Sequence, residues 1–357
     1  MQTKYRIHHA SAFDTSPLAA GSVDLVVTSP PYPMVAMWDL VFAEQDPQIG
    51  DLLEGGDGEG ACARMHGLLE HAWDECDRVL KPGGMVCVNI GDATRSLRDD
   101  FRLYSNHTRV LNAFQARGYA VLPDILWRKP TNAPNKFLGS GMLPVGAYVT
   151  YEHEYILVLR KGPRRLFDSP EARRRRRQSA FFWEERNVWF SDVWLDIRGT
   201  PQHLPGQAER QRSAAFPLEL AHRLICMFSV QGDHILDPFA GTGTTLVAAL
   251  AAGRSATGIE RDGSLAAVCR RTLEAAPQWA RSHTQARLER HAQFLAEREQ
   301  AGRRVRYANT CYGFGVTTRQ EVDLWLPLPK QGQWTADGDY EAEYELPGTG
   351  PATGAVS

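Results

Sequence analysis

Apolar positions along the chain follow two alternating rhythms. "VDLVV" at residues 23–27 is a nearly unbroken run of strand formers, the pattern expected where helices cover both faces of a parallel sheet. Met65, Leu68, Leu69, Ala72, Trp73, Cys76, Val79 and Leu80 then recur at helical spacing, and "KPGG" at 81–84 predicts the stop. A second strand, "MVCVNI" at 85–90, runs into Gly91-Asp92, and a helix from about His107 to Gly118 leads to strand-like "YAVLPDILW" at 119–127. After "YILVLRKG" at 155–162 the pattern breaks into Pro, Arg and aromatic residues. It resumes as a helix at 216–228, strand "HILDPF" at 234–239, a Gly-Thr turn, an Ala-rich helix closed by Gly253 and strand "SATGIE" at 255–260. This order predicts an α/β fold carrying one insertion.

Beyond about residue 277 a charged helical stretch runs to about 302, and the following "YANTCYGFGVTTRQEVDLWLPLP" has no clear rhythm. The acidic, Gly-rich residues from 334 on read as a disordered tail. "GDLLEGGDGEGACA" at 50–63 reads as a mobile loop, either a lid or a surface connection.

Composition narrows the class. The chain has 357 residues, 43% hydrophobic, ample for a sizeable core. A formal charge of −2 gives no global sign of a polyanionic partner, so such a surface has to come from local clustering. The six cysteines are scattered without a Cys-x-x-Cys pair, which predicts reduced thiols and no metal site. No apolar leader opens the chain, and its longest apolar stretch, 246–252, is too short for a bilayer; a cytoplasmic protein with no membrane partner is expected.

In "DPFAGTGTT" a strand ends at Asp237, Pro238 and Phe239 follow, and Gly241 and Gly243 precede a helix starting at Thr244 or Thr245. Glycines remove Cβ atoms that block a ligand, and a new helix offers free N–H groups with a partial positive end. The third glycine of a dinucleotide fingerprint is absent, Leu246 standing there, as is the Gly-Lys-Ser/Thr of a P-loop. Glu260, seventeen residues past Gly243, closes the next strand near the spacing at which an acid takes ribose hydroxyls, so an adenosine-like ligand is expected.

"TSPPY" at 28–32 ends the first strand in a rigid corner. Pro30 and Pro31 fix φ and lack N–H groups, so the loop presents a preset row of carbonyls. Ser29 adds an oxygen beside the Pro30 carbonyl, and Tyr32 offers a flat face. A planar ligand carrying an amine fits such a corner, and open α/β sheets bind ligands at this end of their strands.

Together, "TSPPY", "FPLELAHRLI" and "DPFAGTGTT…GIE" resemble the amino-methylating DNA methyltransferases in the permuted order called class β. The resemblance implies a Rossmann-like S-adenosylmethionine-dependent methyltransferase fold, circularly permuted, in which the two motif strands are neighbours. It assigns Ser29, Pro30, Pro31 and Tyr32 to catalysis, and Phe216, Pro217, Asp237, Pro238, Phe239, Gly241, Gly243, Thr244 and Glu260 to S-adenosyl-L-methionine. One departure stands at Ser11, where many relatives have the Asp of a Gly-Asp pair. The implied division is a catalytic half at 1–162, a target-recognition insertion at 163–210, a cofactor half at 211–280, an extension at 281–333 and a tail at 334–357.

The chemistry so implied is direct transfer to an exocyclic amine, whose lone pair is otherwise delocalised into the base. Ser29 and the Pro30 carbonyl would accept its two N–H bonds, with the base rotated out of the duplex and stacked on Tyr32. Asp92 is expected either to take the proton late, or orient Ser29, or to cap the following segment. Serine at the first motif position goes mostly with N4 of cytosine in the family, Asp or Asn mostly with N6 of adenine. From 160 to 178 nine basic residues face two acids, so Arg164, Arg165, Arg173, Arg174, Arg175, Arg176 and Arg177 are candidates for double-stranded DNA. A cognate restriction endonuclease and a second copy of the chain are the further partners the family admits. The rival readings are a silent S-adenosylmethionine-binding recognition subunit and a methyltransferase acting on RNA or protein amides.

Overall fold

The computed structural model describes residues 1–12, 18–98, 100–129, 138–199 and 216–345. One mixed sheet organises them. Its strands are β1 (Gln2–His9), β2 (Val23–Thr28), β3 (Leu80–Ile90), β4 (Tyr119–Val121), β5 (Ile125–Arg128), β6 (His153–Lys161), β7 (Val193–Trp194), β8 (His234–Asp237), β9 (Ser255–Glu260), β10 (Leu328–Pro329), β11 (Gln333–Trp334) and β12 (Tyr340–Glu345). The order across the sheet is β7-β5-β6-β3-β2-β8-β9-β1-β12-β10, with β4 beside β6 and β11 beside β12. The five central strands, β3-β2-β8-β9-β1, are parallel, whereas β6 runs antiparallel to β3.

The helices are α1 (Asp39–Ala43), α2 (Gln48–Gly55), α3 (Gly58–Val79), α4 (Asn106–Ala116), α5 (Pro170–Gln178), α6 (Trp183–Trp189), α7 (Leu218–Phe228), α8 (Thr244–Ala252) and α9 (Gly263–Gln300). All six residues of β2 are buried, because both faces of the sheet are covered. Leu25 and Val27 pack with Ile235 under α7 and α8, while Val26 packs with Val86, Val88 and Leu236 under α3 and α4. Each such side chain taken from water contributes about 1.5–3 kcal/mol.

Three expectations are corrected. The stretch 50–63 is helical: α2 ends in Gly56 at φ 84, and Asp57 caps α3 by accepting from Gly60 N, so acid and glycine here are capping residues. "KPGG" lies inside β3, where its pairing with β2 shifts register between Val23 and Leu25. Residues 340–345 of the expected tail form β12, antiparallel to β1, with Tyr340, Ala342 and Tyr344 buried; their period-two alternation was masked by acids on the other face. Residues 346–357 lie outside the described residues. The extension packs back on the body through the buried Arg287–Glu185 pair, with Nε to Oε1 at 2.6 Å.

Candidate active site

Parallel pairing of Leu25 with Ile235 and of Val26 with Leu236 brings the ends of β2 and β8 together. The Thr28 hydroxyl donates to Asp237 Oδ1 at 2.7 Å, and the Thr245 hydroxyl at the start of α8 donates to Oδ2 at 2.5 Å. Phe239 N adds a third bond to Oδ1 at 3.1 Å. Burial lifts the Asp237 carboxyl to about 6, against the pull of Thr245, Thr28 and Phe239 N–H. The proline corner and the glycine turn, remote in sequence, are tied through one buried carboxylate.

On the glycine side, Glu260 accepts from Gly241 N and from Asp262 N, each at 2.8 Å. Burial raises its carboxyl, and those two N–H bonds oppose the rise. Gly241 has φ 53 and open space where a Cβ would stand, so the turn leaves room beside the carboxylate for a ligand. Gly243 is glycine for another reason: its φ is 90, and a Cβ would stand 2.4 Å from Cys269 Sγ of α9. Backbone conformation and the packing of α9 on the turn therefore both require glycine at that position. Thr244 opens α8 half-buried, Pro238 is buried, and Phe239 meets Trp73 edge-on at 6.2 Å. Phe216 is buried in the core that carries α7 and α8, and Pro217 caps α7.

On the proline side, Ser29 Oγ lies 2.9 Å from Tyr32 Oη, and the Tyr32 hydroxyl donates to Glu154 Oε2 at 2.9 Å. Asn89 Nδ2, at the end of β3, donates to Tyr32 Oη and to Glu154 Oε2, each at 2.7 Å, and reaches Ser29 Oγ at 3.5 Å. Lys129 Nζ holds Glu154 Oε1 at 2.9 Å. Burial pushes the Tyr32 phenol well above its usual range, with Glu154 adding to the rise. Gly91 lets the ring lie close, since a Cβ there would stand 3.0 Å from Tyr32 Cε2. Pro30 is buried and Pro31 half-buried at the turn.

Asn89, Lys129 and Glu154 are site residues that motif reading missed. For Asn89 and Glu154 the signal was a polar residue inside an apolar strand, "VNI" and "HEYILVL", which is costly unless hydrogen-bonded. Asp92 takes the capping alternative: it accepts from His107 N at 3.0 Å, contacts His107 Nδ1 at 2.8 Å and receives the Tyr151 hydroxyl at 3.1 Å.

The seven arginines lie elsewhere. Arg165 Nη1 binds Asp233 Oδ2 at 2.6 Å and approaches Asp24 Oδ1 at 3.4 Å, both at the beginnings of parallel strands that end at the site. Gln231 N donates to Ser179 Oγ just past α5, at 2.8 Å, and Arg177 Nε pairs with Asp323 at 2.7 Å. A six-residue strand spans on the order of 20 Å, so Arg164, Arg165 and Arg173 to Arg177 occupy the edge opposite Ser29. The run is therefore remote from the proline corner. Phe182, Trp189 and Trp194 are buried and serve packing. Glu219, His222 and His283 bring ligand atoms within 4.8 Å of one another. Burial, then His283, Arg287, Arg254 and Arg223 hold His222 uncharged, and Glu219 is taken by Arg223 and His283 at 2.8 and 3.0 Å, so this group reads as a contact between α7 and α9.

A parallel core with a glycine turn and a rigid proline corner at the ends of neighbouring strands is the Rossmann-like architecture of S-adenosylmethionine-dependent methyltransferases. A family model for DNA methylases that act on N6 or N4 matches residues 23–269. The Type II methyltransferase M.MthZI of Methanothermobacter thermautotrophicus is 47% identical over 346 residues, 97% of this chain and 96% of that protein. M.MjaI of Methanocaldococcus jannaschii, also a Type II methyltransferase, is 45% identical over 74% of this chain and 89% of its own. A putative DNA modification methylase of Thermus thermophilus, crystallised with S-adenosyl-L-methionine, superposes with a TM-score of 0.59 at 30% identity, covering 76% of this chain and 94% of that one. The cytosine-N4-specific PvuII DNA methyltransferase shares the fold at a TM-score of 0.52 and 15% identity, over 75% of this chain and 86% of that one. The chain belongs to the N6/N4 DNA methylase family. No helix among the described residues is long and apolar enough to cross a membrane.

Proposed function

We propose that this protein is a site-specific DNA methyltransferase acting on the exocyclic N4 amine of a cytosine rotated out of duplex DNA, with S-adenosyl-L-methionine as donor. The observation that carries the reading is the adjacency of the two strand ends: Thr28 and Asp237 share a hydrogen bond, so Ser29 and Pro30 stand beside the turn at Gly241. That turn fits the donor, because open space adjoins Gly241 and the Glu260 carboxylate closes the neighbouring strand for a ribose. The same reading assigns Phe216, Pro217, Asp237, Pro238, Phe239 and Thr244 to the donor's surroundings. When bound, the donor supplies an electrophilic methyl on a sulfonium.

The protein's own part is orientation. Because the Tyr32 hydroxyl donates to Glu154, the Ser29 hydroxyl donates to Tyr32 Oη, leaving Ser29 lone pairs to accept an amine N–H. The Pro30 carbonyl accepts the second N–H, favouring a pyramidal nitrogen whose lone pair is directed. Tyr32 and Pro31 supply a stiff wall for the extruded base. Serine at position 29 favours cytosine over adenine. The target sequence is read from the carboxyl edge, where the chain leaves β5 at Arg128, re-enters at His153 and leaves β7 at Trp194. A cognate endonuclease cutting the same site is the partner such an enzyme protects against.

The test is transfer of labelled methyl to unmethylated phage λ DNA, RNA and protein, followed by digestion of the DNA to nucleosides. N4-methylcytosine is the expected product. N6-methyladenine overturns the cytosine assignment, label on RNA or protein alone overturns DNA as substrate, and cofactor binding without transfer supports a silent subunit.

A further inference from the structure

We propose that Glu154, acting through Tyr32, is the resting place of the proton that the amine loses, and that Ser29, Tyr32 and Glu154 form a relay for it. The proposal rests on the amine-transfer reading above. Three oxygens lie in series, Ser29 Oγ to Tyr32 Oη at 2.9 Å and Tyr32 Oη to Glu154 Oε2 at 2.9 Å. Every link has its direction fixed, since Tyr32 donates to a carboxylate that only accepts, which leaves Ser29 to donate to Tyr32. Asn89 Nδ2 bridges Tyr32 and Glu154 at 2.7 Å to each, and Lys129 holds the other carboxylate oxygen, so Oε2 stays aimed at the phenol. Asp92, the acid that the sequence singled out, is occupied by His107 and Tyr151.

The step balances without an external acceptor. The amine nitrogen forms its bond to the methyl carbon as the sulfur–carbon bond breaks, giving a neutral thioether and a base that carries one proton too many. That N–H proton passes to Ser29 Oγ, the Ser29 proton to Tyr32 Oη and the Tyr32 proton to Glu154 Oε2. The base ends neutral and Glu154 ends as a carboxylic acid, which releases its proton to water after product leaves. Because the phenol is held well above its ordinary range, Tyr32 does not rest as a phenolate, and the two inner transfers are coupled. Glu154 touches no substrate and is a positioning residue; Ser29 and Tyr32 are the groups that meet the base.

The experiment compares wild type with E154Q, E154D, Y32F and E154Q/Y32F in single-turnover transfer to unmethylated phage λ DNA. E154Q is expected to slow transfer about 100-fold, with affinity for S-adenosyl-L-methionine and thermal midpoint close to wild type. E154D restores part of the rate, and the double variant is no slower than the slower single. In the unliganded protein, the ring-carbon NMR signal of 13Cζ-labelled Tyr32 shifts in E154Q. Transfer by E154Q within threefold of wild type, or losses in the two singles that multiply in the double, overturns the relay while leaving the methyltransferase reading intact. Absence of label on DNA in the wild type overturns that reading and the relay with it.

Discussion

Thr28 Oγ1 donates to Asp237 Oδ1 at 2.7 Å across 209 residues of sequence, and this bond joins the ends of the two strands that carry the site. Replacing Thr28 by Val keeps the shape but leaves the buried carboxylate short of one donor. T28V is expected to lose about 1–3 kcal/mol of stability, measured by denaturant unfolding, and to transfer methyl more slowly as the corner drifts from the turn. Unchanged stability and rate in T28V would contradict the tie.

The same carboxyl titrates out of range. Asp237 has a folded value near 6, above its ordinary 3.8. A raised folded value means that the group favours the folded state when protonated, and that this contribution is lost as pH rises through 6. D237N cannot ionise. Its stability relative to wild type therefore improves between about pH 4 and 6, by up to about 3 kcal/mol, and thermal melts across that window should show it. A flat difference would refute the assignment.

Gly243 and Cys269 form a second pair whose geometry sets a residue type. G243A combines a strained backbone with a Cβ overlapping Sγ, and about 2 kcal/mol or more is expected to be lost. C269A in the G243A background relieves the overlap but not the strain, so a double-mutant cycle should give a favourable coupling of about 1 kcal/mol. Additive effects would show that the two do not press on each other. G241A, with open space beyond it, should be better tolerated in the fold.

S29A removes the acceptor nearest the amine while leaving Glu260 and Asp237 untouched. Its single-turnover rate should fall about 100-fold with cofactor affinity retained within about twofold. Equal loss of cofactor binding, read by calorimetry, would move Ser29 from the base to the donor pocket.

The arginine run gives an opposite expectation. R173A, R174A and R176A together should leave kcat on a short duplex within about twofold, because α5 lies at the edge where β2 and β8 begin. A large loss of kcat with unchanged KM would place these side chains near the base after all.

Most of the parallel core was legible from pattern, because a strand covered on both faces must be apolar at nearly every position, and β2 is buried along its whole length. Both motifs were legible too, since prolines and paired glycines restrict the backbone wherever they stand. The helical nature of 50–63 was hidden by capping residues that look like loop composition. The strand at 340–345 was hidden because one face of it is acidic. Asn89 and Glu154 were hidden because a lone polar residue in a strand discloses its partner only when the strands are laid side by side.

The sequence alone determined the strand-and-helix rhythm, the rigid corner at Ser29 to Tyr32 and the turn at Gly241 to Gly243, since each depends on local backbone preference and side-chain period. Tertiary structure decided which ends meet, giving the Thr28–Asp237 bond, the Ser29–Tyr32–Glu154 line and the removal of the arginines to the far edge. The reason is physical: parallel pairing and the antiparallel return of β6 are long-range contacts, and no local preference specifies which strand a given strand will lie beside.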